Sequence, residues 1–352
     1  YTKGEMCLNL CTKMLKKSLA PEAKLARMGN DQFAIFNPGV IHQSCLSYAE
    51  EVRLQIAGLD LSEVDESLSI TSCIGVVNLH EGFDDGQQIM TSVMKAINLA
   101  KSKGRNRVQL YQSDDPALKQ HAVEMETLKL LKRAITAEKL LLFRQQIQSN
   151  NKSNSVTSYE VLARLEHEGD IISPTLFIPI AEKNGFALEL DRCVIKQVIK
   201  RIAKNQDSSH YSINLSGQTL ATPNLIGFVK TLLEEHKVSP EQLTFEITET
   251  YAITHLDSAI QFITEVTRLG CKFALDDFGS GLSSFSYLQR LPVQKLKIDG
   301  VFIRNLCDEP RNQVFVKTMV ALAKSMEMET VAEYVETENE LIMLKELGLD
   351  YC

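Results

Sequence analysis

The chain has 352 residues, of which 44% are apolar and 24% charged, with a formal net charge of −7. At about 100 to 200 residues per domain this length predicts two domains, and the composition is that of an ordinary soluble globular protein. The acidic balance excludes the basic face of a nucleic-acid binder, and an anionic ligand would need local cations or a metal to hold it.

No run of about 18 apolar residues predicts a membrane span, and no charged-then-apolar leader marks secretion. The chain starts in mid-pattern without a methionine, which leaves room upstream for a sensor or membrane part. Its eight cysteines, Cys7, Cys11, Cys45, Cys73, Cys193, Cys271, Cys307 and Cys352, are scattered without a CxxC pair and read as buried free thiols of a cytosolic protein. Cys7 and Cys11 lie one helical turn apart, but no histidine or second cysteine pair completes a tetrahedral zinc site.

In chain order, residues 5–18 carry apolar residues at helical spacing, 25–36 read as strand, turn, strand, 68–77 as a strand, and 91–101 as a helix ending near Gly104. Together they compose a small α/β unit, residues 1–112. From about 114 to 140 the pattern becomes one long helix, with Ala122, Met125, Leu128, Leu131 and Ile135 on its apolar face and Asp114-Asp115-Pro116 at its start. Residues 113–139 therefore read as a helical linker, either passing motion between two domains or simply solvated.

After Leu140 strands alternate with amphipathic helices. Strands are predicted at 140–148, 158–165, 211–216, 243–250, 272–278, 293–300 and 329–336, with a stub at the end. Leu190, Val194, Val198, Ile199 and Ile202 form one helical stripe, and Ile260, Ile263, Val266 and Leu269 another. The polar stretch 149–157 is too short for a helix, so the first two strands form a hairpin. Such repeated βα units fit a (β/α)8 barrel or a doubly wound sheet. Within 158–165, alternation puts Tyr159, Val161, Ala163 and Leu165 on one face and Glu160, Leu162 and Arg164 on the other, where solvent is the simplest destination for the two charges.

The later strands carry charged or amide residues inside or at the end of apolar runs: Asn214, Glu246, Glu249, Asp276, Asp277, Lys297, Glu333 and Glu336. In a barrel the carboxyl ends of the strands converge on one cleft. So many carboxylates cannot all stay ionised side by side without cations, because like charges raise one another's pKa. A divalent metal resolves the conflict, and an all-oxygen donor set suits Mg²⁺ or Mn²⁺ rather than zinc or copper. Adjacent Asp276 and Asp277 could serve two ions about 3.5 to 4 Å apart, an arrangement suited to in-line phosphoryl displacement. The competing reading is that the acids cap the helices that follow.

The motifs Y-E-V-L-A-R-L, I-N-L-S, F-E-I-T-E-T, L-D-D-F-G-S-G, L-K-I-D and A-E-Y-V-E stand in the order and spacing of the EAL domain, and the chain from about 140 to 352 resembles that family of cyclic di-GMP phosphodiesterases. Residues 1–112 similarly resemble the C-terminal two-thirds of a GGDEF domain, with A-R-M-G-N-D-Q-F-A-I-F at the signature and S-K-G-R-N-R-V near the end. The resemblance implies a partial GGDEF-like domain joined by a helix to a (β/α)8 barrel with one antiparallel strand, its C-terminal end missing. It implies hydrolysis of cyclic di-GMP to linear pGpG with Mg²⁺ or Mn²⁺, two ions, in a homodimer on the cytoplasmic side. The alternative is an inactive cyclic di-GMP receptor that signals to a protein partner.

Carried over residue by residue, the resemblance implies metal ligands at Glu160, Asn214, Glu246, Asp276, Asp277 and Glu333. Lys297 would hold or polarise the attacking water, with Glu333 and Asp277 also in the catalytic set. Gln145, Leu162 and Arg164 would bind the substrate, Arg164 through a phosphate. Glu249, Asp299 and Glu336 would support the site, Glu249 by anchoring the G-S-G-L-S-S loop. Against the family pattern, Val161 replaces Ala, Gln146 replaces Pro and Tyr334 replaces Gly, and Tyr334 stands where it would crowd the metal cluster unless it points away. In the signature Gly29-Asn30-Asp31-Gln32-Phe33, Gln32 replaces a metal-binding carboxylate, and Ala20-Pro21-Glu22-Ala23 stands where the product-inhibition Arg-x-x-Asp would be. No cyclase activity is expected, and the domain is left to bind GTP as a regulatory input or to serve as a structural partner.

Overall fold

The structure, a computed structural model, describes the chain apart from residues 1, 30, 39, 41–43, 66, 80–82, 84, 113, 114, 151–155, 221, 223 and 282–284, and apart from the side chains of Thr2 and Phe285. It divides into two compact units, Tyr1–Met125 and Glu126–Cys352.

The first unit opens with α1 (Thr2–Ser18), on which Cys7, Cys11 and Leu15 recur one turn apart and are buried together. β1 (Lys24–Arg27) and β2 (Phe33–Phe36) form an antiparallel hairpin, as the strand, turn, strand pattern predicts. α2 (Cys45–Ala57) follows, then β3 (Ile74–Val76), α3 (Gly86–Ser102) and β4 (Val108–Leu110), with β3 and β4 parallel. Only 74–76 of the predicted 68–77 is strand. α3 presses so closely on β3 that a Cβ at Gly75 would meet the Val93 carbonyl at 2.6 Å. α4 (Pro116–Thr136) follows β4 in the chain.

In the second unit, β5 (Leu141–Ile147), β6 (Ser158–His167), β7 (Asp170–Ile172), β8 (His210–Asn214), β9 (Leu243–Thr248), β10 (Lys272–Phe278), β11 (Lys295–Ile298) and β12 (Glu329–Ala332) form a curled sheet of order β12-β11-β10-β9-β8-β6-β5. From β6 to β12 these neighbours are parallel, and β5 is antiparallel to β6. β7, which sequence reading did not foresee, pairs antiparallel to β6 across Glu168 and Gly169. Both have positive φ, the two-residue turn that matches strand twist. Beyond the strands, Tyr351 bridges in parallel to Val331 and antiparallel to Ser149, so residues 350–352 join the two edges of the sheet at that level.

The helices α5 (Pro174–Lys183), α6 (Ala187–Asn205), α7 (Gly217–Leu220), α8 (Leu225–His236), α9 (Glu249–Thr254), α10 (Leu256–Leu269), α11 (Gly300–Ile303), α12 (Pro310–Ser325) and α13 (Glu338–Leu347) complete the unit. Strand alternation divides its labour. Tyr211, Ile213, Phe245, Ile247, Phe273, Leu275, Leu296 and Ile298 join the apolar core with the helices. The alternate positions Ser212, Thr244, Glu246, Asp276, Lys295 and Lys297 are polar yet buried on the other face. All eight cysteines are free thiols, and among the described residues no helix is long and apolar enough to cross a membrane.

Candidate active site

Lys297, on the polar face of β11, is 2% exposed. Its Nζ lies 2.7 Å from Glu246 Oε2, 2.8 Å from Glu333 Oε1, 3.0 Å from Asp276 Oδ1 and 3.4 Å from Glu160 Oε2. These carboxylates come from β9, the residue after β12, β10 and β6, so residues scattered over more than half the unit meet at one ammonium. Asn214, at the end of β8, joins them by donating its Nδ2–H to Glu160 Oε1 at 2.8 Å.

Adjacent residues of a regular strand point to opposite faces, so Asp276 and Asp277 should not share a site. The register of β10 against β11 slips between Leu275 and Phe278, a bulge, and Asp277 takes a left-handed backbone with φ +55°. The extra residue turns the second carboxylate back, and oxygens of Asp276, Asp277 and Glu333 lie within 4.8 Å of one another. Asp277 N–H also donates to Asp276 Oδ1 at 3.0 Å.

Burial pushes Glu246 up to about 7, with Asp276 and Glu160 adding to it and Lys297 opposing. Glu333 is pushed up to about 8, first by burial and then by Asp276, again against Lys297. Asp277 is raised by burial, then by Asp276 and Asp299. Burial disfavours the Lys297 ammonium, but the surrounding carboxylates outweigh it and hold the group well above its ordinary range. Four carboxylates around one ammonium, with Asp277 beside them, leave a negative excess that a hard divalent cation would offset, and the oxygen-only donors fit Mg²⁺ or Mn²⁺.

Glu249 is fully buried at the start of α9. It accepts from Gly279 N–H at 2.8 Å and from Tyr287 O–H at 2.5 Å, which ties down the loop after Asp277. Residues 282–284 of that loop lie outside the described residues. Asp299 accepts from Val301 N–H at 2.9 Å and caps α11. In β5, Gln145 stands directly opposite Glu160, and Phe143 opposite Leu162, so Gln145 and Leu162 share the face of the cluster. Arg164, two residues on, lies over the Phe143 ring at 5.6 Å. Val161 faces the other way, 6% exposed within the apolar core.

Glu336 is a correction. The expected strand 329–336 stops at Ala332, Glu336 is exposed, and its backbone N–H donates to Glu340 Oε2 at 3.0 Å. Among the described residues nothing joins its side chain to the cluster. Tyr334 has φ +54° and is 56% exposed. Its ring lies where a Cβ on Gly300 would come within 2.3 Å, and Arg304 stacks over it at 4.5 Å. The ring therefore packs on α11, away from the carboxylates.

Tyr287 was missed in the sequence because nothing in its spacing marks it. Asp191, which accepts from Ser216 N–H at 2.9 Å, did leave a signal: a lone carboxylate on the buried face of α6. Of the cyclase signature, Gly29, Asp31, Gln32 and Phe33 lie at the turn of the β1–β2 hairpin, where Met28 N–H donates to the Gln32 carbonyl at 2.9 Å. Asn30 lies outside the described residues.

Residues 129–352 match the family described as EAL domain, and residues 1–107 match that described as diguanylate cyclase, GGDEF domain. The cyclic di-GMP phosphodiesterase PdeB of Shewanella oneidensis is 30% identical over all of this chain and 42% of its own length. The bifunctional diguanylate cyclase/cyclic di-GMP phosphodiesterase MucR of Pseudomonas aeruginosa is 28% identical over 98% of this chain and 50% of its own. The chain thus spans about half the length of these relatives. Among solved structures, the PaMucR phosphodiesterase in complex with c-di-GMP matches 64% of this chain and 93% of its own at 31% identity and a TM-score of 0.60. The FimX EAL domain of Pseudomonas aeruginosa bound to c-di-GMP matches 64% and 92% at 30% identity and a TM-score of 0.61.

Proposed function

The chain belongs to the EAL domain family, with a GGDEF-like segment before it, and on that premise we propose that it is a metal-dependent cyclic di-GMP phosphodiesterase that opens one 3′,5′-phosphodiester to give linear pGpG. The observation that carries this reading is the convergence of Glu160, Asn214, Glu246, Asp276, Asp277 and Glu333 around Lys297. A resident Mg²⁺ or Mn²⁺ pair would supply a nucleophile near neutral pH and offset charge on the phosphate. Those six residues would hold it.

The chain's own groups do the rest. Lys297, kept protonated by its neighbours, donates hydrogen bonds that orient the attacking water and stabilise negative charge. Gln145 and Leu162 line the substrate face, and the Arg164 guanidinium grips a phosphate oxygen. Glu249 keeps the loop after Asp277 in place, and Asp299 holds α11 beneath it. The curled sheet is read as a (β/α)8 barrel, and residues 113–139 as the helix joining the two domains.

The GGDEF-like segment is read as catalytically silent, since Gln32 cannot ligate a metal as a carboxylate does, with GTP binding or a structural role left to it. The exposed apolar side chains Val301, Val314 and Phe315 on α11 and α12 are consistent with a homodimer. The test is to incubate the protein with cyclic di-GMP and Mg²⁺ or Mn²⁺, with and without EDTA, and follow pGpG by chromatography. Metal-dependent product that disappears in Glu160→Ala is expected. Tight binding with no product would replace the enzyme by a receptor.

A further inference from the structure

Asn214 ends β8, and the residues after it are held first by β9 and then by helices that supply no carboxylate to the cluster. Leu215 N–H donates to the Glu246 carbonyl at 2.9 Å. Ser216 N–H donates to Asp191 Oδ2 at 2.9 Å, and Ser216 Oγ–H donates to Glu182 Oε1 at 2.7 Å. Gln218 Nε2 donates to the Glu182 carbonyl at 3.2 Å. Gly217 lies under Tyr251, where a Cβ would come within 1.9 Å of the ring. The chain leaving Asn214 is thus fixed at each successive residue.

Asp191 belongs to α6, whose buried face is otherwise an apolar stripe, and Glu182 to α5. Asp191 is 6% exposed, and among the described residues it has no ion-pair partner. Burial, with Glu182 nearby, pushes its carboxyl up to about 7. A buried carboxylate without a cation is costly, and an apolar residue there would pack at no such penalty. What the carboxylate provides is an acceptor for the first N–H beyond Leu215, with the Thr219 hydroxyl of α7 beside it as well.

We infer that Asp191, with Glu182, is a positioning residue that fixes Ser216 and thereby aims the Asn214 amide at Glu160, leaving Asn214 Oδ1 for the cation. This rests on the reading of Asn214 as a metal ligand. Neither carboxylate is among the six residues that would hold the ion.

The test uses the full chain and Mn²⁺ as probe, with dissociation constants from calorimetry, thermal unfolding, and turnover of cyclic di-GMP. Asp191→Ala weakens Mn²⁺ binding about tenfold or more and lowers kcat with little change in KM. Asp191→Asn, which keeps an acceptor for Ser216 N–H, recovers most of that loss. The double variant Asp191→Ala/Asn214→Ala is no worse than Asn214→Ala alone, because both act on one interaction. If Asp191→Ala fails to fold, Asp191→Leu, which extends the apolar stripe of α6, carries the test for Asp191, and Ser216→Ala, which loses only the bond to Glu182, carries it for Glu182; each weakens Mn²⁺ about threefold or more. Wild-type affinity in the folded variants, or additive losses in the double variant, overturns the inference. A wild-type protein without metal-dependent turnover overturns the functional reading and this inference with it, whereas normal wild-type turnover with unchanged variants overturns this inference alone.

Discussion

At the scale of single residues, Lys297 and Tyr334 were read from the sequence in different ways, and the structure treats them differently. Lys297 stood out as a cation in an acidic strand set, but only its 2% exposure and its carboxylate contacts make it the counter-ion of the site. Removing one partner of a buried ion cluster costs about 3 to 5 kcal/mol. Lys297→Ala is therefore expected to lose stability of that order in urea unfolding without metal, and to regain part of it when Mn²⁺ is added. Tyr334 posed a steric question that spacing could not answer, because the strand had already ended and alternation no longer applied. Its left-handed backbone explains why glycine suits the position: a side chain there costs about 1 to 2 kcal/mol. The ring offsets part of this on Gly300 and under Arg304, a contact type contributing about 0.5 to 1 kcal/mol at an exposed site. Tyr334→Gly should leave turnover within about threefold of wild type. A tenfold gain in a hydrolysis assay would show that the ring does obstruct the cluster.

At the scale of elements, the strands were legible because their apolar runs are bounded and alternate, and β10 runs over the predicted 272–278. The bulge inside it was not. Nothing in L-D-D-F tells a regular strand, with one aspartate turned outward, from a bulged one with both inward. That choice depends on pairing with β11 and on the left-handed Asp277. Asparagine tolerates that conformation better than alanine. Asp277→Asn should keep wild-type thermal stability in chelator, while Asp277→Ala loses about 1 kcal/mol. Both should weaken Mn²⁺ binding in calorimetry to a similar extent. Equal stability of the two variants would argue against backbone strain at this position. β7 was missed for a simpler reason: the Glu168-Gly169 turn is a weak signal beside the longer strands.

At the scale of the whole molecule, the acid cluster links folding to pH. Glu246 and Glu333 keep their protons up to about 7 and about 8 in the folded protein, against an ordinary value of 4.5. Between those limits the folded state binds more protons than the unfolded one, so stability falls as pH rises from about 4.5 to about 8. Thermal unfolding of the chelator-treated protein across that range should show this slope, and Glu333→Gln should flatten it. Added Mn²⁺ should raise the midpoint most at the alkaline end, because it competes with protons for the same oxygens. An identical slope in Glu333→Gln would place the pH sensitivity elsewhere. The sequence alone determined the longer strands and most of the longer helices in their order, the EAL and GGDEF resemblances and the identity of most cluster residues, since these follow from local periodicity and from motifs written in contiguous residues. Only the tertiary structure decided that Asp277 turns inward, that Tyr334 turns away, that Glu336 stays outside and that Asp191 reaches the loop after Asn214. Each of those depends on backbone geometry or on a partner distant in the chain, and no local pattern encodes either.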